Sequence, residues 1–321
     1  MRYFFSACAA LLWLSSCSND AASEDPLLAQ PPYDKLTDSI KQEPKDAALH
    51  YRRAGLLFSN NQMDAAKQDL RTAWQLDPEE EYALGLTRIL SMQNADSAIA
   101  FIHEALKQLP SSIALRVGLI RGYEKKNDVN AALKACDDVL SRYPGELDAL
   151  LLKSELFKKE QRDSESLAVL QQAYNYAPAD VELVHTLAFD LAEANNPRVL
   201  TLADSLIKAD VNHRHAEPYY FKGVYYSNTG HPDEAIRQFD AAIQHDFKYM
   251  DAYINKGVVY YEQKKYAQAL KIFDLATTVF PKEGEPYRWL AKTQEALGIK
   301  DEAKLNYDRA AGLEKQAEKD E

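Results

Sequence analysis

Two histidines separated by one residue, His213 and His215, are the groups whose type and spacing come closest to chemistry in this chain. Imidazole nitrogens ligate metal ions, so the pair could contribute to a metal site. No second cluster of ligands accompanies the pair, and a solvated loop is the simpler interpretation. The sequence also lacks a Gly-rich phosphate loop and a Gly-x-Ser-x-Gly nucleophile motif. We therefore predict no catalytic residues, no metal and no cofactor, and we expect that the protein is not an enzyme.

The charge and the cysteines exclude further classes of function. The 321 residues include 49 acidic and 38 basic side chains, which gives a net charge of −11. Such an acidic surface argues against a nucleic-acid partner, because phosphate contacts need a basic face. Of the three cysteines, Cys8 lies in an apolar leader and Cys136 falls at a predicted core position. Together with Cys17 they leave no pair for a disulfide framework or a zinc site.

An internal repeat between Ala216 and Glu283 defines the elements that would position any site. The same sequence unit occurs twice in direct succession within this stretch. Seven identities connect Tyr219, Lys222, Gly223, Tyr226, Ala235, Phe239 and Ala242 with Tyr253, Lys256, Gly257, Tyr260, Ala269, Phe273 and Ala276. Most of them form two clusters at i, i+4 and i+7, the spacing of one helix face. Each repeat is therefore predicted to be two amphipathic helices joined by a short turn.

The glycines Gly223 and Gly257 indicate how the two helices of a repeat pack. Glycine inside a helix costs about 1 kcal/mol relative to alanine, so two glycines at matching helical positions need a common reason. The simplest reason is close approach: the second helix crosses the first where a side chain would clash. We expect large residues such as Phe239 and Phe273 to pack around that crossing.

The repeated pattern resembles the tetratricopeptide repeat, whose period is about 34 residues. A Gly-x-x-Tyr segment, an Ala-x-x-x-Phe-x-x-Ala segment and a closing proline are typical of that family, and Pro281 supplies the proline of the second repeat. Phe247 stands at that position in the first repeat, which affects only the sharpness of the turn. The resemblance implies an all-α fold: a right-handed α-solenoid of about eight helix pairs with an N-terminal capping helix.

Regularly spaced prolines extend the repeats toward the N-terminus. The prolines recur at nearly equal intervals, and only the interval from Pro78 to Pro110 is two positions shorter than the others. They are Pro44, Pro78, Pro110, Pro144 and Pro178. Leu36 and Ile40 stand at helical spacing before Pro44, so residues 33–46 are predicted to form a capping helix. Residues 318–321 follow the last repeat as a tail. The predicted repeats are 47–78, 79–112, 113–146, 147–180, 181–215, 216–249, 250–283 and 284–317.

The N-terminus resembles the leader of a bacterial lipoprotein. One positive charge, Arg2, precedes a short apolar run that ends in Leu14-Ser15-Ser16-Cys17. The resemblance implies that residues 1–16 are a signal peptide and that Cys17 becomes the first residue and carries the lipid. Several acyl chains on one cysteine would hold the protein on a membrane. The alternative is an ordinary secretory leader with an accidental cysteine.

The residues after Cys17 bear on localisation. Ser18, rather than aspartate, follows the cysteine, and in lipoproteins of diderm bacteria this usually goes with the outer membrane. Residues 17–32 are rich in Ala, Ser, Asp and Pro without an apolar period, so we expect them to form a flexible tether. The predicted location is the bacterial cell envelope, lipid-anchored in the outer membrane.

The resemblance also implies a binding surface, because the first helix of each tetratricopeptide repeat lines a long concave face. The side of these helices opposite the packing stripe carries apolar, polar and basic residues that fit an extended, acidic peptide. The predicted partner-binding residues are Tyr220, Val224, Ile254, Asn255, Val258, Tyr261, Arg288 and Lys292. Asn255 matches a position where peptide-binding repeats often hold a backbone-contacting asparagine. Alternatively, Ile254 and Val258 fill the space between repeats.

One subtype of the family is excluded by two positions. Members that bind chaperones clamp a terminal carboxylate with a Lys and an Asn on the first helix of their first repeat. Here those positions hold Tyr51 and Gly55, so we do not predict that clamp.

The function that follows is a non-catalytic scaffold or adaptor of the cell envelope that binds a protein or peptide partner on the concave face. The alternative is a component that binds or processes peptidoglycan or another cell-wall glycan, which would need acids and aromatics clustered on one ridge. The charged residues that project from that face in the third and fourth repeats alternate in sign, which usually indicates a solvated surface. They are Glu124, Lys125, Glu155, Lys158 and Lys159.

Overall fold

The structure is a computed structural model that describes residues 25–210 and 215–320, with side chains to residue 318. The predicted signal peptide, Cys17, the first part of the tether and His213 lie outside the described residues. In the described part, the backbone forms seventeen α-helices and no β-strand. Every one of these helices is too short or too polar to span a lipid bilayer.

The helices follow one another with short connections. They are α1 (Asp34–Gln42), α2 (Ala47–Ser59), α3 (Met63–Leu76), α4 (Glu80–Gln93), α5 (Ala95–Gln108), α6 (Ile113–Lys125), α7 (Val129–Arg142), α8 (Leu147–Lys159), α9 (Asp163–Tyr176), α10 (Val181–Glu193), α11 (Arg198–Ala209), α12 (Glu217–Asn228), α13 (Pro232–His245), α14 (Met250–Glu262), α15 (Tyr266–Val279), α16 (Gly284–Ala296) and α17 (Lys300–Asp320). Contacts divide the chain into unit 1, Met1–Asp128, and unit 2, Val129–Glu321.

Tight turns connect the two helices of a pair. Three residues join α2 to α3, and Asn61 in that turn has a φ of 60°. In unit 2, Gln161, Gly230 and Lys264 take the same left-handed conformation between α8 and α9, α12 and α13, and α14 and α15. A single αL residue lets the chain reverse at once, so the two helices pack against each other.

The α4–α5 turn differs, and it accounts for the one short proline interval. Asn94 alone connects α4 to α5, where three residues connect α2 to α3. Its side chain accepts a hydrogen bond from the Ser97 backbone N–H at 2.9 Å and so caps α5. The shorter interval between Pro78 and Pro110 thus reflects this shortened turn.

The core of unit 1 lies between α2, α3, α4 and α5. Small residues at the helix crossings, such as Ala54, Ala66 and Ala73, are almost wholly inaccessible. Around them Leu57, Leu70, Leu86 and Ile89 supply most of the apolar volume. Alanine at a crossing lets two helix backbones approach closely while the larger side chains fill the space on either side.

A buried polar network attaches α1 to this core, and sequence reasoning missed it. Arg53 on α2 donates two hydrogen bonds to the Asp69 carboxylate on α3, both at 2.7 Å, and a third to Thr37 on α1 at 3.0 Å. The Thr37 hydroxyl in turn donates to the Leu28 carbonyl at 2.7 Å. Arg53 and Asp69 are only 7% and 5% exposed. Each charge is therefore compensated by its partner, and the capping helix is held in place by directed bonds.

In unit 2, the two glycines lie at the helix crossings that the repeat predicted. A Cβ added at Gly223 would lie 2.5 Å from Phe239 Cε1, and one at Gly257 would lie 2.5 Å from Phe273 Cζ. Both phenylalanines come from the second helix of the same pair and have no exposed surface. The close approach predicted from the glycines is confirmed.

Candidate protein-binding face

The predicted binding residues lie on three helices of unit 2 that are the first members of successive pairs. α12 carries Tyr220 and Val224, α14 carries four of the residues, and α16 carries Arg288 and Lys292. α14 contacts both α12 and α16. The structure brings Tyr220 together with Asn255, and Tyr261 together with Lys292. We call the exposed side of α12, α14 and α16 the first-helix face.

The structure corrects the prediction that Tyr220, Val224 and Ile254 bind a partner, because all three side chains are buried. Their exposed fractions are 8%, 5% and 5%, so they offer almost no surface to a partner. The physical reason is that neighbouring first helices contact one another directly, and side chains of this stripe fill the contact. Ile254 fills the space between repeats, as the alternative interpretation of the sequence predicted. Val258 is half-buried and packs against the core cluster that contains Ile254 and Phe273.

Tyr220 is the centre of an aromatic and hydrogen-bonded layer beneath the face. Its ring lies 5.2 Å from the Tyr249 ring and 5.8 Å from the Phe239 ring, measured between centroids. Burial raises the pKa of the Tyr220 phenol well above its ordinary value of 10.0, and the nearby carboxylates of Asp251 and Glu193 raise it further. The hydroxyl therefore stays neutral and keeps its hydrogen bond with α14.

Asn255 uses its amide hydrogens within the fold. Its Nδ2 donates to the Tyr220 hydroxyl and to the Asp251 carbonyl, each at 3.0 Å. The expectation that Asn255 donates to a peptide main chain is corrected, because both N–H groups are already bonded. Among the described residues no donor reaches its Oδ1, so this atom can accept a hydrogen bond from a ligand.

The accessible part of the face is a cluster formed by Tyr261, Trp289 and Lys292. Lys292 Nζ lies 4.3 Å from the centroid of the Trp289 ring and 5.2 Å from that of Tyr261. The two rings meet edge to face at 5.9 Å, and Trp289 stacks on the buried Phe273 at 5.6 Å. Because the rings rest on the core, they are held rigidly while Lys292 stays exposed. We call this the aromatic–lysine cluster.

Sequence reasoning missed Trp289, although a signal for it exists. Trp289 occupies on α16 the repeat position that Asn255 occupies on α14. Reading every face position in each repeat, instead of selected ones, would have found it.

The two predicted cations have different surroundings. Arg288 forms an ion pair with Glu314 on α17, so its charge is compensated within the chain. Lys292 contacts rings and pairs with no carboxylate among the described residues. Glu217, Asp251 and Glu285 lie in the first turns of the same three helices, where they stabilise the helix dipole. The cationic character of the face is therefore confined to the aromatic–lysine cluster.

A second concavity lies in unit 2 beside α8, α9 and α10. It encloses about 680 Å³, and Lys158 at its wall binds Asp190 at 2.7 Å. Phe189 is 39% exposed, and burial together with repulsion from Asp190 raises the pKa of Glu193. The groove is lined by Lys158, Asp163, Ser164, Leu167, Phe189, Asp190, Glu193 and Ala194.

The predicted histidine loop shows no metal geometry in its described part. His215 Nδ1 lies 3.7 Å from Glu217 Oε2, and the His185 and His215 ring centroids are 6.0 Å apart. In residues 25–210 and 215–320, no group of three or more His, Cys, Asp or Glu side chains could hold a metal ion.

Comparison with known proteins decides the family. Two family models, both described as tetratricopeptide repeat, match residues 47–80 and 222–283. The chain contains tetratricopeptide repeats in these two stretches. No curated protein matches it.

Comparison with solved structures shows that this tetratricopeptide protein has the fold of an all-α repeat solenoid. A tetratricopeptide repeat protein from Parabacteroides merdae is 17% identical, with a TM-score of 0.57 over 73% of this chain and 92% of the other. PilW, a widely conserved type IV pilus biogenesis factor, is 16% identical, with a TM-score of 0.47 over 63% of this chain and 90% of the other. In the APC/C hetero-tetramer Cut9-Hcn1, the match is 15% identical, with a TM-score of 0.45 over 87% of this chain and 55% of the other.

Proposed function

We propose that this tetratricopeptide protein is a non-catalytic scaffold that binds a segment of a partner protein on the first-helix face of unit 2. Repeat proteins of this fold act as protein-interaction scaffolds, and the aromatic–lysine cluster is the observation that supports this face. Rigid aromatic rings with a cation beside them are typical anchors of protein interfaces. Tyr261 and Trp289 provide the apolar area, and Lys292 provides the charge.

The partner segment is extended and carries an acidic side chain. Asn255 Oδ1 accepts a backbone N–H of the segment, while Lys292 pairs with its carboxylate. The first-turn acids Glu217, Asp251 and Glu285 lie at the N-terminal ends of all three helices. They repel the carboxylate of the segment, which therefore lies away from these ends, beside Lys292. This orientation narrows the expectation from the sequence, which placed both Arg288 and Lys292 against the acidic ligand.

We place the protein on the outer membrane of a bacterial envelope through lipid on Cys17, as the leader predicts. The test is Cys17→Ala, which should abolish labelling by fatty acid and association with the membrane fraction. Labelled protein that persists in the membrane fraction would contradict the proposed anchor.

The binding face is tested by capture of partners from solubilised envelopes. The variant Tyr261→Ala with Lys292→Glu removes the anchor and reverses the charge, so proteins held through this face should be lost from the captured set. The variant Phe247→Ala with Lys248→Glu is a matched control, because Lys248 lies 5.7 Å above the Phe247 ring in an exposed loop elsewhere in unit 2. If both variants capture the same proteins as the wild type, this face is not the binding surface.

A second candidate is glycan binding in the groove beside α8, α9 and α10. The groove combines the exposed Phe189 ring with the Asp190 and Glu193 carboxylates, a composition typical of sugar-binding sites. Sedimentation with purified peptidoglycan separates the two functions: the wild type co-sediments and Phe189→Ala does not if the groove binds glycan. If the wild type does not co-sediment with peptidoglycan, glycan binding by the groove is excluded and the scaffold function stands.

A further inference from the structure

A buried histidine in unit 1 lies between two atoms that can only accept hydrogen bonds. His50 on α2 is 8% exposed. Its Nδ1 lies 3.3 Å from Asp69 Oδ1 on α3. Its Nε2 lies 3.3 Å from the carbonyl oxygen of Pro44, in the connection between α1 and α2. The ring therefore bridges the connection from the capping helix and the first helix pair.

Both acceptors lack a hydrogen of their own. Asp69 is ionised, because Arg53 donates a hydrogen bond to each of its oxygens at 2.7 Å. The second acceptor is a backbone carbonyl, which never donates. A neutral imidazole carries one N–H, so it satisfies one of the two contacts and turns a lone pair toward the other oxygen. Only the imidazolium, which carries two N–H groups, donates to Asp69 and to Pro44 at once.

The charges around the ring come from α2 and α3. Asp69 favours a positive charge on the imidazole, and Arg53 opposes it. The buried residues of α1 are uncharged. In the α1–α2 connection, Glu43 and Lys45 are exposed and opposite in sign, and Asp46 accepts hydrogen bonds from backbone N–H groups of α2. The contributions of Asp69 and Arg53 thus oppose each other, and the two acceptors decide which form of the ring fits.

The bond to Pro44 is the one that a neutral ring gives up. Hydrogen bonds to an ionised acceptor are about twice as strong as those between neutral groups. The single N–H of neutral His50 therefore stays on Nδ1, toward Asp69. The α1–α2 connection then loses its bond to α2.

The attachment of α1 is sensitive to this loss, because the helix is short. It has 9 residues, buries only Thr37 and Ile40 and packs mainly on α2. Besides the Pro44 contact, the capping helix is held by Thr37, which accepts from Arg53 at 3.0 Å and donates to the Leu28 carbonyl at 2.7 Å. A segment with few buried apolar contacts opens at low cost, so one polar bond has a measurable effect on it.

We propose that His50 is a proton-dependent clamp that holds the capping helix α1 on the first helix pair. In acid the charged ring donates to Asp69 and to Pro44, and α1 is held closed. As the pH rises and the ring loses its proton, the Pro44 bond and its contribution to the attachment of α1 are lost. The clamp involves neither the first-helix face nor Cys17, so it is tested separately from the proposed function.

Amide hydrogen exchange of the purified full chain measures the clamp. Protection factors, which correct for the pH dependence of intrinsic exchange, are compared at about pH 5.5 and about pH 8.5, on either side of the range in which an ordinary imidazole titrates. In the wild type, protection of the α1 amides should fall at least about tenfold between the two. This is the factor expected from losing one hydrogen bond to a charged group.

His50→Asn is the decisive variant, because the asparagine amide places an N–H near the position of Nδ1 and keeps the bond to Asp69 at every pH. Its α1 amides should show the low protection of the wild type in alkali, with little dependence on pH. His103→Asn is the matched control. His103 is the other histidine of unit 1, and it is exposed, with its Nε2 3.1 Å from the Tyr123 hydroxyl. This variant should keep the pH dependence of the wild type.

Nitrogen NMR of the imidazole rings gives a second readout that needs no variant. Both ring nitrogens of His50 should carry protons in acid, and only Nδ1 should do so in alkali. The proposal is overturned if His50 carries a single N–H throughout this range, or if α1 has the same protection at both ends of it. It is also overturned if His50→Asn retains the pH dependence of the wild type.

Discussion

Replacement of Gly257 by alanine should destabilise α14 and α15. The same change at Gly55 should instead stabilise α2. A Cβ at Gly257 would lie 2.5 Å from Phe273 Cζ and 2.9 Å from Phe273 Cδ1. Carbon atoms pack best at about 3.5–4.0 Å, so the ring must move. It has little freedom to do so, because it has no exposed surface and stacks on Trp289 with an interplanar angle of 12°.

The expected magnitude follows from two opposing contributions. Overpacking a tight core costs about 1–3 kcal/mol, and the confined ring places this site at about 3 kcal/mol. Alanine recovers about 1 kcal/mol of helix propensity. The net loss is about 2 kcal/mol. Gly55→Ala has no opposing contribution, because its Cβ meets nothing within 4 Å, and should stabilise α2 by about 1 kcal/mol.

Amide hydrogen exchange measured by mass spectrometry is the suitable assay, because repeat proteins open in parts and a single unfolding midpoint would average over them. Amides of α14 and α15 should exchange about 30-fold faster in Gly257→Ala. Amides of α2 should exchange more slowly in Gly55→Ala. A shorter side chain, Phe273→Leu, should restore part of the protection in the Gly257→Ala background. Equal effects of the two alanine substitutions would refute the reasoning about the crossing.

Two further predictions concern buried polar groups. Asp69→Ala should destabilise unit 1 by about 3–5 kcal/mol, because it leaves the Arg53 guanidinium buried without a counter-charge. Trp74 fluorescence during denaturation measures this, and a loss below about 1 kcal/mol would contradict it. Burial raises the pKa of the Tyr220 and Tyr249 phenols, so the unfolded chain ionises first and the stability of unit 2 should fall as the pH rises past about 10. Phenolate absorbance should show at least two tyrosines titrating after the others, and Tyr220→Phe should remove one of them.

Much of the local architecture could be predicted from the sequence. Helix pairs follow from apolar spacing, which local backbone geometry imposes on any amphipathic helix. The crossing at Gly223 and Gly257 could also be predicted, because the same interface recurs and requires the same residue each time. The boundaries of the eight repeats remain predictions, and so do the signal peptide and lipid on Cys17, which lie outside the described residues.

The binding face was predicted less well, because its contacts are made between neighbouring first helices and not within one helix. The sequence placed Tyr220, Val224 and Ile254 opposite one packing stripe, but each first helix has a second stripe that packs on the next first helix. A pattern within one helix does not reveal which of its remaining sides meets a neighbour. The same limit hid the ion pair between Arg288 and Glu314, since the partner comes from another helix, α17.

By itself the sequence determined that the chain forms repeated helix pairs with glycine at two crossings, because these features depend on spacing along one or two adjacent helices. Only the tertiary structure decided which side chains remain accessible and which charges remain uncompensated. Tyr261, Trp289 and Lys292 become one cluster because α14 and α16 pack side by side. Arg53 and Asp69 become one buried ion pair because α3 packs against α2. In each case, residues on separate helices are brought within contact distance by packing, and no spacing within one helix specifies that distance.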